Sequence, residues 1–109
     1  MENIRILLCC AAGYSSGILA QKAKKAAKDR GININIDARS ESQAESFLGQ
    51  IDVMLLAPHY ANIVDQFKKL AEPYGVPVAV IPHRIYGLID GEALLDLAIK
   101  TIEEKKENI

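Results

Sequence analysis

A chain of 109 residues, 50% apolar and 25% charged, has room for one hydrophobic core and little more, so a single domain over 1–109 is expected. A formal net charge of -1 lacks the basic excess of nucleic-acid-binding domains, which argues against such a partner. The apolar run Ile4 to Ala12 is too short to span a bilayer, and nothing at the N-terminus has the pattern of a signal peptide; the expectation is a cytoplasmic protein without direct membrane insertion.

Ile4 to Cys9 is a short apolar run leading into small residues, as expected of a buried strand. Ser15 to Asp29 is helical in composition, with Ile18, Leu19, Ala23 and Ala26 at helical spacing and Gly31 just beyond as a C-cap. The basic residues Lys22, Lys24, Lys25, Lys28 and Arg30 read as a solvated face of that helix. Ile32, Ile34 and Ile36 alternate with Asn33, Asn35 and Asp37, which predicts an edge strand with one wetter face. Ala44, Phe47 and Leu48 suggest a short helix after Ser40 or Ser42. Val53 to Ala57 is continuously apolar, as in a central strand covered on both faces, and Pro58 stops it.

Ile63, Val64, Phe67, Leu70 and Ala71 form an amphipathic helical pattern. Val76 to Ile81 predicts a fourth strand, with Pro77 suiting an edge position. Leu94, Leu95, Ala98, Ile99 and Ile102 predict a last helix, continued by the charged segment Glu103 to Asn108 before it frays. Strict alternation of strand and helix predicts an α/β fold, a four-stranded parallel sheet with helices on both faces, and two central strands (the first and third) flanked by two edge strands (the second and fourth) give the order 2-1-3-4. The order reverses between the first and third strands, and a ligand crevice is expected there, at the carboxyl ends of the strands.

The two cysteines, Cys9 and Cys10, are adjacent, so on a strand they point to opposite faces and an ordinary disulfide between them is not expected. Two thiols in one place do not make a zinc site, and neither His59 nor His83 has the spacing to complete one; no metal and no cofactor is expected. Cys9 reads as a core residue. Cys10 ends the first strand before a loop of small residues that opens a helix, where the helix field lowers a thiol pKa and makes a nucleophile. The backbone N–H groups of Ala11, Ala12, Gly13, Tyr14, Ser15 and Ser16, with Gly17 after them, suit an anion nest. The hydroxyls of Ser15 and Ser16 are further donors, and either serine suits the N-cap.

His59, after the third strand, is a candidate for an auxiliary hydrogen bond to that loop or to a bound phosphoryl group, or for a plain helix-start role. A Cys10–His59 pair for acyl transfer lacks an evident third group to orient the imidazole. His83 and Arg84 are expected on a partner-facing rim, and Tyr14 and Ile18 as apolar anchors for a docking protein.

Cys10-Ala11-Ala12-Gly13-Tyr14-Ser15-Ser16 resembles the cysteine loop of the IIB components of the lactose/cellobiose-type sugar phosphotransferase system. Asp52-Val53-Met54-Leu55-Leu56-Ala57-Pro58 is similar to the third strand of that family, and Tyr86-Gly87-Leu88-Ile89-Asp90-Gly91 to its turn before the last helix. Where the family often has Pro-Gln after the third strand, this chain has Pro58-His59. The resemblance implies a fold similar to that of low-molecular-weight tyrosine phosphatases. It also implies a protein-phosphocysteine–sugar phosphotransferase: Cys10 would take phosphoryl from a phosphohistidine on a IIA component. It would then pass the group to a sugar, a β-linked disaccharide, bound by a membrane-embedded IIC permease.

The alternative is a cysteine phosphohydrolase of the phosphatase type. That reaction needs an arginine six positions after the cysteine to grip the phosphoryl group, and Ser16 stands there instead. It also needs an acid for the leaving group, for which Asp90 is the candidate; the competing role for Asp90 is to cap the last helix.

Overall fold

The computed structural model describes residues 3–9 and 14–107, and the side chains of all of these but 14–16, 41, 106 and 107. The strands are β1 (Ile4–Cys9), β2 (Ile34–Arg39), β3 (Val53–Leu56) and β4 (Val78–Val80). The helices are α1 (Tyr14–Asp29), the four-residue α2 (Ala44–Phe47), α3 (Val64–Ala71), α4 (His83–Leu88) and α5 (Gly91–Glu107). Tight 3-10 turns flank α2, and another, Pro58–Ile63, leads from β3 into α3. All strand pairs are parallel and the order is β2-β1-β3-β4, as the alternation of the sequence predicts.

The period of two along β1 divides the core into two layers. Ile4, Ile6 and Leu8 pack with Leu19, Ala20 and Ala23 of α1 and with Leu94, Ala98 and Ile102 of α5. Leu7 and Cys9 point the other way, into Ala44, Leu48, Phe67 and Ala71. Each of β3's four residues is buried, as expected of a strand covered on both faces. Burial of side chains such as Leu7, Leu8, Leu55 and Leu94 stabilises the fold by about 1.5–3 kcal/mol each. Cys9, 1% exposed, is a core residue as anticipated.

Two strands start later than their apolar patterns suggest, for one shared reason. At the end of α1, Gly31 takes φ 71°, its N–H bonds the Lys28 carbonyl at 3.1 Å, and the Ile32 N–H bonds that of Ala27 at 2.8 Å. This pair of bonds is a Schellman cap, in which the residue after the glycine packs back on the helix. Ile32 is therefore part of the cap, and β2 begins at Ile34 and runs on to Arg39. Gly75 repeats the device at φ 68°, with Val76 N–H bonding the Ala71 carbonyl at 3.3 Å, and β4 shortens to Val78–Val80.

α4 is a helix the sequence pattern did not suggest. It ends on Ile89, a β-branched residue at φ 52° whose N–H reaches the carbonyls of Ile85 and Tyr86. Arg30 is also corrected: it lies past the end of α1 and is no part of a solvated helix face. Its guanidinium reaches Asp96 at 2.6 Å and Glu92 at 3.2 Å, tying α1 to α5. Hydrogen bonds donated to Asp96 first and Glu92 second raise its pKa further above the ordinary arginine value. A raised pKa on a cation means a stabilising contribution that is complete below the ordinary arginine range and lost only above it. On the arginine's side, the tie is insensitive to pH under working conditions.

Candidate functional site at the carboxyl edge of the sheet

The carboxyl edge runs Arg39, Cys9, Leu56, Val80 across the four strands, because these residues are partners in the parallel registers. The order reversal falls between β1 and β3, where Ala57 N–H still donates to the Cys9 carbonyl at 3.0 Å. Cys10, Ala11, Ala12 and Gly13 lie outside the described residues. The chain is helical from Tyr14, so Ser15 and Ser16 fall inside the first turn and neither is the N-cap. Backbone N–H groups of a first turn have no carbonyl partner within their helix, and here they belong to Tyr14, Ser15 and Ser16 at the positive end of a 16-residue helix. That arrangement suits an anion. Gly17 follows, part-buried, and a β-carbon there would meet nothing within 4 Å among the described residues.

His59 stands beyond β3 on the 3-10 turn that Pro58 opens, exposed, with its ring 4.4 Å from that of Tyr60 and tilted by 42°. Tyr60 itself is buried, its ring 6.1 Å from Phe67, so the turn is anchored from beneath. His83 and Arg84 are exposed at the start of α4, beyond β4. Ile18 is 48% exposed one turn into α1. Tyr86 packs against both core layers, which a side chain achieves only by passing around the end of the sheet.

Asp90 is a cap. Its Oδ1 accepts the Ala93 N–H at 3.0 Å and its carbonyl accepts the Leu94 N–H at 3.0 Å, which fixes the start of α5. Gly91 follows because α5 crosses α1 closely: a β-carbon there would stand 2.6 Å from the Ala23 nitrogen and run into the Lys22 carbonyl carbon. The Asp90-Gly91 pair thus serves helix packing. Among the described residues no group of three or more His, Cys, Asp or Glu side chains is placed to hold a metal ion, and no helix is long and apolar enough to cross a membrane.

Arg39, which sequence reasoning passes over, is the last residue of β2 and the register partner of Cys9; its guanidinium lies over the Phe47 ring, with Cζ 5.3 Å from the centroid.

An open parallel α/β sheet with a helix N-terminus near its order reversal defines a class of folds whose ligands bind at the carboxyl edge, where a helix start suits an anion. Residues 5–97 match the family model for the lactose/cellobiose-specific IIB subunit of the sugar phosphotransferase system. A cellobiose-specific EIIB component of Lactococcus lactis subsp. lactis is 38% identical over 103 residues, covering 90% of this chain and 95% of that protein. The solution structure of a cellobiose-specific phosphotransferase IIB component from Borrelia burgdorferi superposes with a TM-score of 0.78 at 35% identity, covering 94% of each chain. A lactose-specific EIICB component of Lacticaseibacillus casei is 31% identical over 85 residues, 78% of this chain and 15% of that much longer protein. The chain belongs to the lactose/cellobiose-specific IIB family, whose members take part in phosphoryl transfer during sugar uptake.

Proposed function

We propose that this chain, as one domain, is the cytoplasmic carrier between a IIA component and a IIC permease, and that Cys10 carries the phosphoryl group. The Cys10 thiolate attacks the phosphorus of a IIA phosphohistidine. The S–P bond forms as the N–P bond breaks, and the departing imidazole takes up a proton. In the second step a hydroxyl oxygen of the sugar, a β-linked disaccharide held by the permease, attacks phosphorus. The sulfur leaves as thiolate and the hydroxyl proton passes to a base on the permease side.

The observation that supports this most is the join of β1 to α1: a central strand reaches Cys9 at the order reversal and the chain is helical again from Tyr14. The first-turn amides of a helix favour both a thiolate and phosphoryl oxygens, and the helix here starts five residues after Cys9. Ala11, Ala12, Gly13, Tyr14, Ser15, Ser16 and Gly17 are the proposed cradle, and His59 an auxiliary donor from the next turn. The lactose-specific relative that carries IIB and IIC in one chain supports the permease as partner.

Two features favour a carrier over a hydrolase. The sixth residue after Cys10 is Ser16, where a phosphatase needs arginine. Asp90, the candidate acid, is engaged as a helix cap. The test is mass spectrometry after incubation with phosphorylated IIA. The expected result is one phosphoryl group, acid-labile, on Cys10, and no sugar phosphorylation by Cys10→Ser. An acid-stable adduct on serine, or none on Cys10, would overturn the reading.

A further inference from the structure

We propose that the outer face of α1, with the end of α4 beside it, is a surface for an anionic lipid bilayer, on which the chain lies without crossing it. The inference goes beyond the carrier reading and stands apart from it, since adsorption is measured on the unphosphorylated chain. Charge is unevenly divided along the sequence. Residues 22–30 hold five of the 13 lysines and arginines and one of the 14 carboxylates, Asp29. The remaining eight cations face thirteen carboxylates, so a net charge of -1 conceals one strongly basic helix. A separated field of this kind acts on a charged plane even when the whole molecule is nearly neutral.

α1 buries Leu19, Ala23, Ala26 and Ala27 and turns Ile18, Lys22, Lys24, Lys25 and Lys28 outward. None of these four lysines forms an ion pair among the described residues. Ile18, Lys22 and Lys25 follow at intervals of four and three residues, so they form one stripe. A cavity of about 430 Å³ brings Lys22 and Lys25 against Leu88, the last residue of α4. Leu88 is 75% exposed, the highest value among the large apolar side chains described, and Ile18 is also exposed. Arg84, exposed and without an ion pair among the described residues, precedes Leu88 by one turn on the same side of α4.

Three carboxylates share the cavity with Leu88: Asp29, Asp90 and Glu92. Glu92 is paired with Arg30, Asp90 is turned to the Ala93 N–H, and Asp29 is the last residue of α1, so the lysines dominate the outer face. The residue types favour lipid over an acidic protein. Protein interfaces are poor in lysine and rich in arginine and aromatic side chains, whereas long lysine stems lie along a bilayer surface with their ammonium groups among the headgroups. Exposed apolar side chains between such cations reach the acyl boundary. Ile18 lies near the start of α1 and Leu88 follows β4, so both apolar contacts lie toward the carboxyl edge of the sheet. Adsorption through them tips that edge toward the bilayer, the side on which the permease proposed above presents its sugar.

The experiment is co-sedimentation of the intact chain with vesicles of mixed phosphatidylglycerol and phosphatidylcholine at low salt, with pure phosphatidylcholine vesicles alongside. Binding is expected to the mixed vesicles and not to the neutral ones, and it should weaken as salt is added. Replacing Lys22, Lys24, Lys25 and Lys28 together by Gln is expected to lower the partition coefficient about a hundredfold, and Leu88→Ser about fivefold. Lys68→Gln with Lys69→Gln removes two exposed lysines of α3, which packs on the other core layer, and should leave partition unchanged. All the replaced side chains are exposed, so each variant is expected to unfold at the Tm of the parent chain, which separates lost binding from lost fold. No binding of the unaltered chain, equal binding to neutral vesicles, or an equal loss from the α3 pair overturns the proposal. It is also overturned if the four-lysine variant partitions as the parent does but takes phosphoryl more slowly from phosphorylated IIA, a result that makes an acidic protein the partner of α1.

Discussion

The two ends of the sheet carry similar side chains put to different ends. At the amino end, a cavity of about 550 Å³ is lined by Arg5, Asp52, Tyr74, Lys105 and neighbouring apolar residues. Its principal charges satisfy one another: Asp52 accepts the Arg5 backbone N–H at 2.8 Å and Arg5 Nη2 at 3.3 Å. At the carboxyl end, Arg39, His59, His83 and Arg84 are exposed, and none forms an ion pair among the described residues. The phosphoryl site proposed above lies at this second end, at the reversal of strand order, and not at the cavity.

The largest effect on stability is expected where α5 leaves the carboxyl end. Gly91→Ala places a β-carbon against the backbone of Lys22 and Ala23, which cannot give way as a flexible side chain can. A loss of about 2–3 kcal/mol is expected, read as a lowered midpoint in urea or heat. Gly87→Ala is the internal comparison: it lies in α4, meets nothing within 4 Å among the described residues, and should be neutral or stabilising by up to about 1 kcal/mol. Equal losses at the two glycines would mean that close helix approach is not what the Asp90-Gly91 pair provides.

Next in size is the cap itself. Asp90→Ala removes the acceptor of the Ala93 N–H and is expected to cost about 1 kcal/mol, with Asp90→Asn nearly silent because the amide oxygen still accepts. The two substitutions also separate the carrier from the hydrolase. If Asp90 were a proton donor to a leaving group, Asp90→Asn would change turnover while leaving the thermal midpoint in place; the cap predicts unchanged phosphocysteine formation.

The strand order and the two-sided core were legible because the periods are clean. Ile4, Ile6 and Leu8 against Leu7 and Cys9 define two faces, and the unbroken Val53–Leu56 run defines a centre. What misled was the residue after each capping glycine. Ile32 and Val76 are apolar for the sake of the helix behind them, and a pattern of alternating side chains does not distinguish that from the first residue of a strand. The same shift hides the end of β2: with the strand centred on Ile34, Arg39 as the register partner of Cys9 goes unnoticed. For Arg30 the reason is different. Its partners, Glu92 and Asp96, are more than sixty residues away in sequence, and local charge patterning carries no information about them. The proposed acceptor rests on the chemistry of its residue types, since Cys10 through Gly13 lie outside the described residues.

The smallest effect is expected at the amino end, and it is the one that tests whether the two ends are separable. Asp52 precedes β3, and the latch it makes is two-sided: its own N–H donates to the Arg5 carbonyl at 2.8 Å while its carboxylate takes the Arg5 N–H. Asp52→Ala keeps the backbone bond and loses the carboxylate. The Arg5 and Asp52 side chains are 45% and 36% exposed, so water replaces much of what is removed. Exposed pairs of this kind contribute little, and the expected loss is about 0.5–1 kcal/mol, shrinking with added salt. Phosphocysteine formation should be untouched, with neither KM for the donor nor kcat moved. A change in transfer without a matching change in stability would show that the amino-end register of β1 against β3 is felt at Cys9, where the same two strands end. The division of the sheet into a structural end and a working end would then fail.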